Sequence, residues 1–135
     1  GLAFFMAGVS KFGDWTAEGY LLGATGPFAA FFQSLAGSPV VDALNVWGLT
    51  LIGLALILGF FVRPASFFGA LLMLLYYFAH FEQNTEHGLI DYHIMYIVIL
   101  LLFLAGGIGH MFGVDGMVYS KHQKKRKMLD EVLFG

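Results

Sequence analysis

The chain has 135 residues, of which 59% are hydrophobic and 12% charged, and its formal net charge is −2. Soluble domains carry about 25% charged residues, so these side chains are too few to cover a water-exposed surface and lipid is the better solvent. Because the sequence has no cysteine, disulfides, thiolate metal sites, Cys-ligated iron–sulfur clusters and cysteine nucleophiles are excluded.

Four apolar blocks predict an all-α integral membrane protein, a bundle of four transmembrane helices. They cover residues 1–12, 43–62, 65–81 and 92–112, with a break at Arg63-Pro64 between the second and third. A spanning helix needs about 20 residues, so we expect the sequence to start inside a first helix whose beginning is missing. The blocks are apolar all round, whereas the helices of a soluble core would show polar stripes.

The segment between the first two blocks, residues 17–37, is apolar but interrupted by Gly23, Gly26 and Pro27. Such residues disfavour one continuous helix. We therefore expect two short helical pieces, interfacial or re-entrant, on the outer side of the bundle. Irregular backbone at membrane depth must be covered by protein or line a cavity, so this segment either roofs a ligand site or caps the bundle.

The charges separate by side of the predicted bundle. Six of the seven basic residues, Arg63 and five in the tail, fall on one side, and six of the nine acidic residues fall on the other. The positive-inside rule then predicts a multi-pass protein of the plasma membrane with a cytoplasmic C-terminus. We divide the chain into a bundle, residues 1–116, and a basic tail, residues 117–135. The tail resembles a nucleic-acid patch or a clamp for anionic lipid, but a stop-transfer cluster is the simpler interpretation, and no nucleic-acid partner is expected.

Histidines and carboxylates gather where the third and fourth helices end on the outer side. The cluster consists of His80, Glu82, Glu86, His87, Asp91 and His93. Such groups beside membrane spans are expensive and indicate function. Three interpretations remain open. The first is a metal site, although no HExxH-type spacing is present. The second is that these are only the polar residues of a solvated loop, with Asp91 capping the fourth helix, and the third is a proton or quinone headgroup site.

For the quinone interpretation, His80 and His93 are placed to hydrogen-bond the two carbonyls of the headgroup. Tyr96, one turn after His93, and Trp47 on the second helix complete the predicted cofactor-binding set, together with the neighbouring tyrosines 76 and 77. Glu82, Glu86 and Asp91 are the predicted proton-exchanging groups. The opposing interpretation is that these histidines bond only to backbone or to nearby carboxylates.

Two further residues, His110 and Lys11, are candidates for a functional role. His110 is a candidate haem or pigment ligand, although a helix C-terminus also favours a protonated imidazole. Lys11 is a lone lysine on the outer side, against the positive-inside trend, so we expect it to pair with Asp14, Asp42 or Glu82.

The sequence lacks a glycine-rich phosphate loop and the motifs GxSxG, HExxH and CxxCH. It therefore gives no support to hydrolase, nucleotide-binding or c-type haem chemistry.

Three stretches resemble the DoxX/DoxD family of small four-helix membrane proteins: AGVSKFGDW at 7–15, GLTLIGLALILGFFVRPAS at 48–66 and LLLFLAGGIGHMFGVDG at 100–116. YLLGATGPFAAFF at 20–32 is similar to the DoxD branch, the membrane subunit of a thiosulfate:quinone oxidoreductase. The resemblance covers residues 1–116. It implies a membrane subunit of a quinone-linked or sulfur-linked oxidoreductase that acts with a separate partner.

Two other function classes fit the composition. One is a non-catalytic accessory subunit of a larger respiratory, photosynthetic or oxidase complex, surrounded by lipid and other subunits and able to hold lipid or pigment. The other is a small transporter, for which the sequence offers neither an internal repeat nor a midplane charge.

Overall fold

The computed structural model describes residues 1–83, 90–106 and 113–116, and these ranges are helical without any strand. The helices are α1 Leu2–Val9, α2 Glu18–Leu22, α3 Ala29–Ser34, α4 Pro39–Leu58, α5 Val62–Ala79 and α6 Tyr92–Gly106, with a short 3₁₀ turn at Phe81–Gln83. The all-α prediction is confirmed for this part of the chain. Glu86, His87, His110 and the basic tail lie outside the described residues.

Two helices, α4 with 20 residues and α5 with 18, are long and apolar enough to cross a membrane, and α6 is a shorter apolar helix. Only 33% of the apolar window of α4 and 39% of that of α5 is buried within the chain. A core helix of a soluble protein is mostly buried, and exposed apolar surface on this scale is unfavourable in water. The exposure therefore supports a membrane location.

The four longer helices meet in one core, formed by Phe4, Leu49, Ile52, Ala70, Met73 and Leu100. Because α1 and α4 cross at two glycines, their backbones come very close: a Cβ on Gly8 would overlap Thr50, and a Cβ on Gly53 would overlap the backbone of Phe5. Close approach through small residues is a common way for helices to associate in lipid.

The turn between α4 and α5 lies earlier than the predicted break at Arg63-Pro64. The chain reverses over Gly59 and Phe61, which have φ of 63° and 52°, and α5 begins at Val62. Arg63 and Pro64 therefore lie in the first turn of α5, where proline is tolerated because its missing N–H would have no intrahelical partner.

Asp115 closes this turn from the other end of the sequence. Its carboxylate accepts hydrogen bonds from the backbone N–H groups of Phe61 at 2.8 Å and Val62 at 3.0 Å. The N–H of Asp115 donates to the carbonyl of Gly59 at 2.9 Å. Asp115 is fully buried, so its charge is stabilised by amides at the start of α5, where the helix dipole also favours an anion.

The broken segment after α1 folds into two short helices, as predicted. The chain bends between α2 and α3 at Gly26, with φ of 86°, a conformation that glycine adopts readily. Thr25 donates its backbone N–H to the carbonyl of Ala79 at 2.9 Å, and the N–H of Ala17 donates to Asp42 Oδ1 at 2.7 Å. These bonds hold the segment over one end of α4 and α5.

Candidate ligand-binding site

A cavity of about 900 Å³ lies between α4 and α5 beneath the two short helices. Its walls are the residues from Val41 to Ile52 on α4 and from Phe68 to Ala79 on α5, with Leu21, Phe32 and Leu35 above them. Twelve residues of helix extend about 18 Å at 1.5 Å each. The cavity is therefore an elongated groove, and its volume is typical of a site for a small organic molecule.

The groove is polar at one end only. Lys11, Tyr20, Asn45, Tyr76, Tyr92 and His93 line the end near the short helices, whereas Leu51, Ile52, Phe68 and Leu71 line the other. Leu51 and Phe68 are each 57% exposed, so the apolar end opens sideways between the two candidate spans. A ligand with a polar head and an apolar tail fits this arrangement.

Asp91 and His93 form the most constrained part of the polar end. Asp91 Oδ1 accepts the backbone N–H groups of His93 at 3.0 Å and Ile94 at 3.3 Å, which confirms the predicted cap of α6. Its Oδ2 lies 2.5 Å from Nδ1 of His93, and the two residues are 6% and 5% exposed. A carboxylate at Nδ1 holds the proton on that nitrogen, which leaves Nε2 as the nitrogen available to a ligand.

Tyr76 and Asn45 join α5 to α4 beside this pair. The Tyr76 hydroxyl donates to Asn45 Oδ1, and Asn45 Nδ2 donates to the carbonyl of Val41 at 2.9 Å. Asn45 thus forms a hydrogen bond between helices, whereas Thr50 bonds within its own helix, to the carbonyl of Val46. The Tyr76 ring stands edge-on to the His93 ring at 6.2 Å.

His80 does not line the groove. It contacts the site indirectly, through the aromatic rings of neighbouring residues. Its ring lies 4.0 Å from that of Tyr20, which in turn is 5.7 Å from that of Tyr76. His80 Nδ1 is buried and has no hydrogen-bond partner among the described residues. Burial, and secondarily the charge of His93, lowers the pKa of His80. Burial also raises the pKa of Tyr20, so its hydroxyl stays protonated.

The other predicted site residues lie at different distances from the groove. Tyr96 borders a second, smaller cavity and packs edge-on against Phe4. Trp47 is 54% exposed and contacts Phe12 outside both cavities. Glu82 is exposed, and its backbone N–H donates to Thr25 Oγ1 at 3.4 Å. Asp91 is buried rather than solvent-facing, and its carboxylate contacts His93.

The second cavity, about 290 Å³, is lined by residues of α1, α4, α5 and α6. It shares Lys11, Tyr76, Tyr92 and His93 with the larger groove. These four side chains therefore border both spaces, and His93 is accessible from either.

Lys11 belongs to the site, although the sequence indicated only that it needed a partner. Its ammonium donates to the carbonyl of Ala7 at 3.1 Å and lies 5.2 Å from the centre of the Trp15 ring. The predicted carboxylate partners are not used: within the described ranges the one ion pair is Asp91 with His93. Burial lowers the pKa of Lys11.

Tyr20 was also missed as a site residue. Its signal in the sequence is weak, an aromatic residue in a glycine-interrupted segment.

Across residues 1–83, 90–106 and 113–116, no three His, Asp or Glu side chains lie together as a metal site would require. Comparisons with protein-family models, curated proteins and solved structures gave no match.

Proposed function

We propose that the chain is a quinone-binding membrane subunit of an oxidoreductase, of the DoxX/DoxD-like kind that its sequence resembles. The observation that carries this proposal is the elongated apolar groove whose polar end is lined by His93, a residue that Asp91 holds through Nδ1. An isoprenoid tail would lie between α4 and α5, and the headgroup would reach the polar end. The exposed apolar residues at the other end give a lipid-soluble ligand a path from the bilayer.

His93 suits both redox states of such a headgroup. With its proton on Nδ1, the neutral imidazole accepts a hydrogen bond from a quinol O–H at Nε2. The imidazolium, stabilised by Asp91, donates from the same nitrogen to a quinone carbonyl. Reduction of a quinone to a quinol consumes two electrons and two protons, and His93 is positioned to supply one of those protons. The Tyr76 and Tyr92 rings border the space for the headgroup.

In the bilayer, α4 and α5 would be two spans of a four-helix bundle, with α1 packed on α4 and α6 on α5. The charge distribution orients the site toward the outer face and the basic tail toward the cytoplasm. Glu82, and Glu86 in the sequence that follows, would exchange protons with solvent there. The electrons would come from a reductant held by a separate partner subunit.

Equilibrium binding of a ubiquinone or menaquinone analogue to the purified chain in lipid nanodiscs tests the proposal. His93→Gln should weaken binding by about tenfold or more, because it removes the imidazole that pairs the headgroup oxygen with Oδ2 of Asp91. Met95→Ala is the matched control, since Met95 lies two residues further along α6 and is 62% exposed. Wild-type affinity in the His93 variant would refute the assignment.

The same binding measurement distinguishes the quinone-binding function from the second function class. A non-catalytic accessory subunit of a larger membrane complex needs apolar helix faces, and α4 and α5 expose many large apolar side chains. It needs no quinone site. If the wild-type chain binds no quinone, this becomes the better account of the fold.

A further inference from the structure

Lys11 places a positive charge at the point where the two cavities meet. Its ammonium has three donors, of which one is used by the carbonyl of Ala7. The Trp15 ring covers part of the cation through its negative face. Together these contacts hold the side chain in a fixed direction, beside His93 and Tyr92.

Within the described residues Lys11 forms no ion pair, and two carboxylates of this end of the fold are engaged with other groups. Asp42 accepts the N–H of Ala17. Asp91 is occupied by two amides and the imidazole of His93. A partly buried ammonium without a carboxylate is costly in an apolar site, and a ligand anion in the cavity would relieve that cost.

We propose that Lys11 makes this site selective for quinones whose headgroup carries an ionised oxygen, such as a ring hydroxylate. The inference rests on the proposed quinone function and adds the chemical class of the headgroup. His93 would take one ring oxygen and Lys11 would take the charged one. The apolar tail of the quinone would occupy the groove between α4 and α5 whether or not the headgroup is ionised.

Two probes of nearly equal shape test this selectivity. One is an alkylated hydroxynaphthoquinone, which is ionised at neutral pH, and the other is its methyl ether, which cannot ionise. The wild-type chain in nanodiscs should bind the ionised compound about tenfold more tightly, the effect of one charge-assisted hydrogen bond. Lys11→Met should remove this preference, so that the ionised compound and its methyl ether bind with equal affinity. Lys11→Arg should retain it.

The possible results are distinguishable. Equal affinities for the two probes in the wild-type chain, or an unchanged preference in the Met variant, overturn the role of Lys11 and leave quinone binding intact. Failure of the wild-type chain to bind either probe overturns the quinone function itself. If the Met variant binds neither compound, Lys11→Gln replaces it, and persistence of the preference there overturns the inference.

Discussion

Oδ2 of Asp91 lies 2.5 Å from Nδ1 of His93, two residues later on the first turn of α6. The same carboxylate caps the helix through its other oxygen. One side chain therefore fixes both where α6 begins and which nitrogen of the imidazole is bonded to a carboxylate.

Asp91→Asn should separate these two roles. Asparagine remains a good N-cap, so thermal stability should change little. Its amide N–H₂ would donate to Nδ1 and move the proton to Nε2, which then could not accept a quinol O–H. We expect quinol affinity to fall about tenfold, and nitrogen NMR of labelled histidine should show the tautomer change. An unaltered tautomer would contradict the assigned geometry.

Asp115→Ala should destabilise the protein, because the buried N–H groups of Phe61 and Val62 would lose their acceptor. The expected loss is about 1–3 kcal/mol, measured as a lower melting temperature in detergent. Asp14→Asn is a suitable control, because Asp14 is exposed on the loop after α1. Equal effects of the two substitutions would mean that the cap contributes nothing specific.

Much of the helical layout follows from the sequence. Long apolar runs predict α4 and α5, and Gly26 with Pro27 predicts the interruption between α2 and α3. The α4–α5 turn was placed too late, at Arg63-Pro64, because a proline can end one helix or begin the next. The start of α5 is fixed by Asp115, which accepts hydrogen bonds from Phe61 and Val62. Because Asp115 is distant in sequence, a local pattern does not reveal this.

The site was predicted in part for a similar reason. Helical spacing placed His93 and Asp91 at one end of the bundle, where both are found. Lys11, Tyr20 and Asn45 converge on the same end from three other segments, and their approach depends on how the segments pack. Trp47 illustrates the converse, since its position on α4 turns it away from the groove.

Gly53→Ala should disrupt the packing of α1 on α4, because the added methyl group would overlap the backbone of Phe5. A backbone cannot yield as a flexible side chain does, so a large loss of thermal stability is expected. Gly48→Ala, on the same helix and with no atom near its added methyl, should instead be neutral or slightly stabilising. Similar melting temperatures for the two variants would argue against the close crossing.

Asn45 and Tyr76 should be energetically coupled. In a double-mutant cycle with Asn45→Ala and Tyr76→Phe, the coupling should be about 0.5–2 kcal/mol, within the range measured for side-chain bonds between membrane helices. Additive effects on unfolding would show that the hydrogen bond between them does not persist in the bilayer.

His80 should make stability depend on pH. Because its pKa is lowered in the fold from an ordinary value of 6.5, the unfolded chain binds more protons below that pH. The stability associated with the neutral imidazole is complete above 6.5 and is lost as the pH falls through 6.5 toward the lower folded value. Melting temperatures recorded from about pH 7.5 to about pH 5 should fall less steeply in His80→Gln than in the wild-type chain. Parallel curves would exclude this contribution.

The fixing of α5 at both ends has a consequence for biogenesis. Its C-terminal end bonds to Thr25, which the ribosome has already made, whereas its N-terminal amides need Asp115, which is made only after α6. A nascent chain that has completed α4 and α5 therefore still lacks the side-chain acceptor for two amides at their turn. Completion of that turn must wait for the final part of the bundle, so the hairpin should remain loosely joined until Asp115 is made.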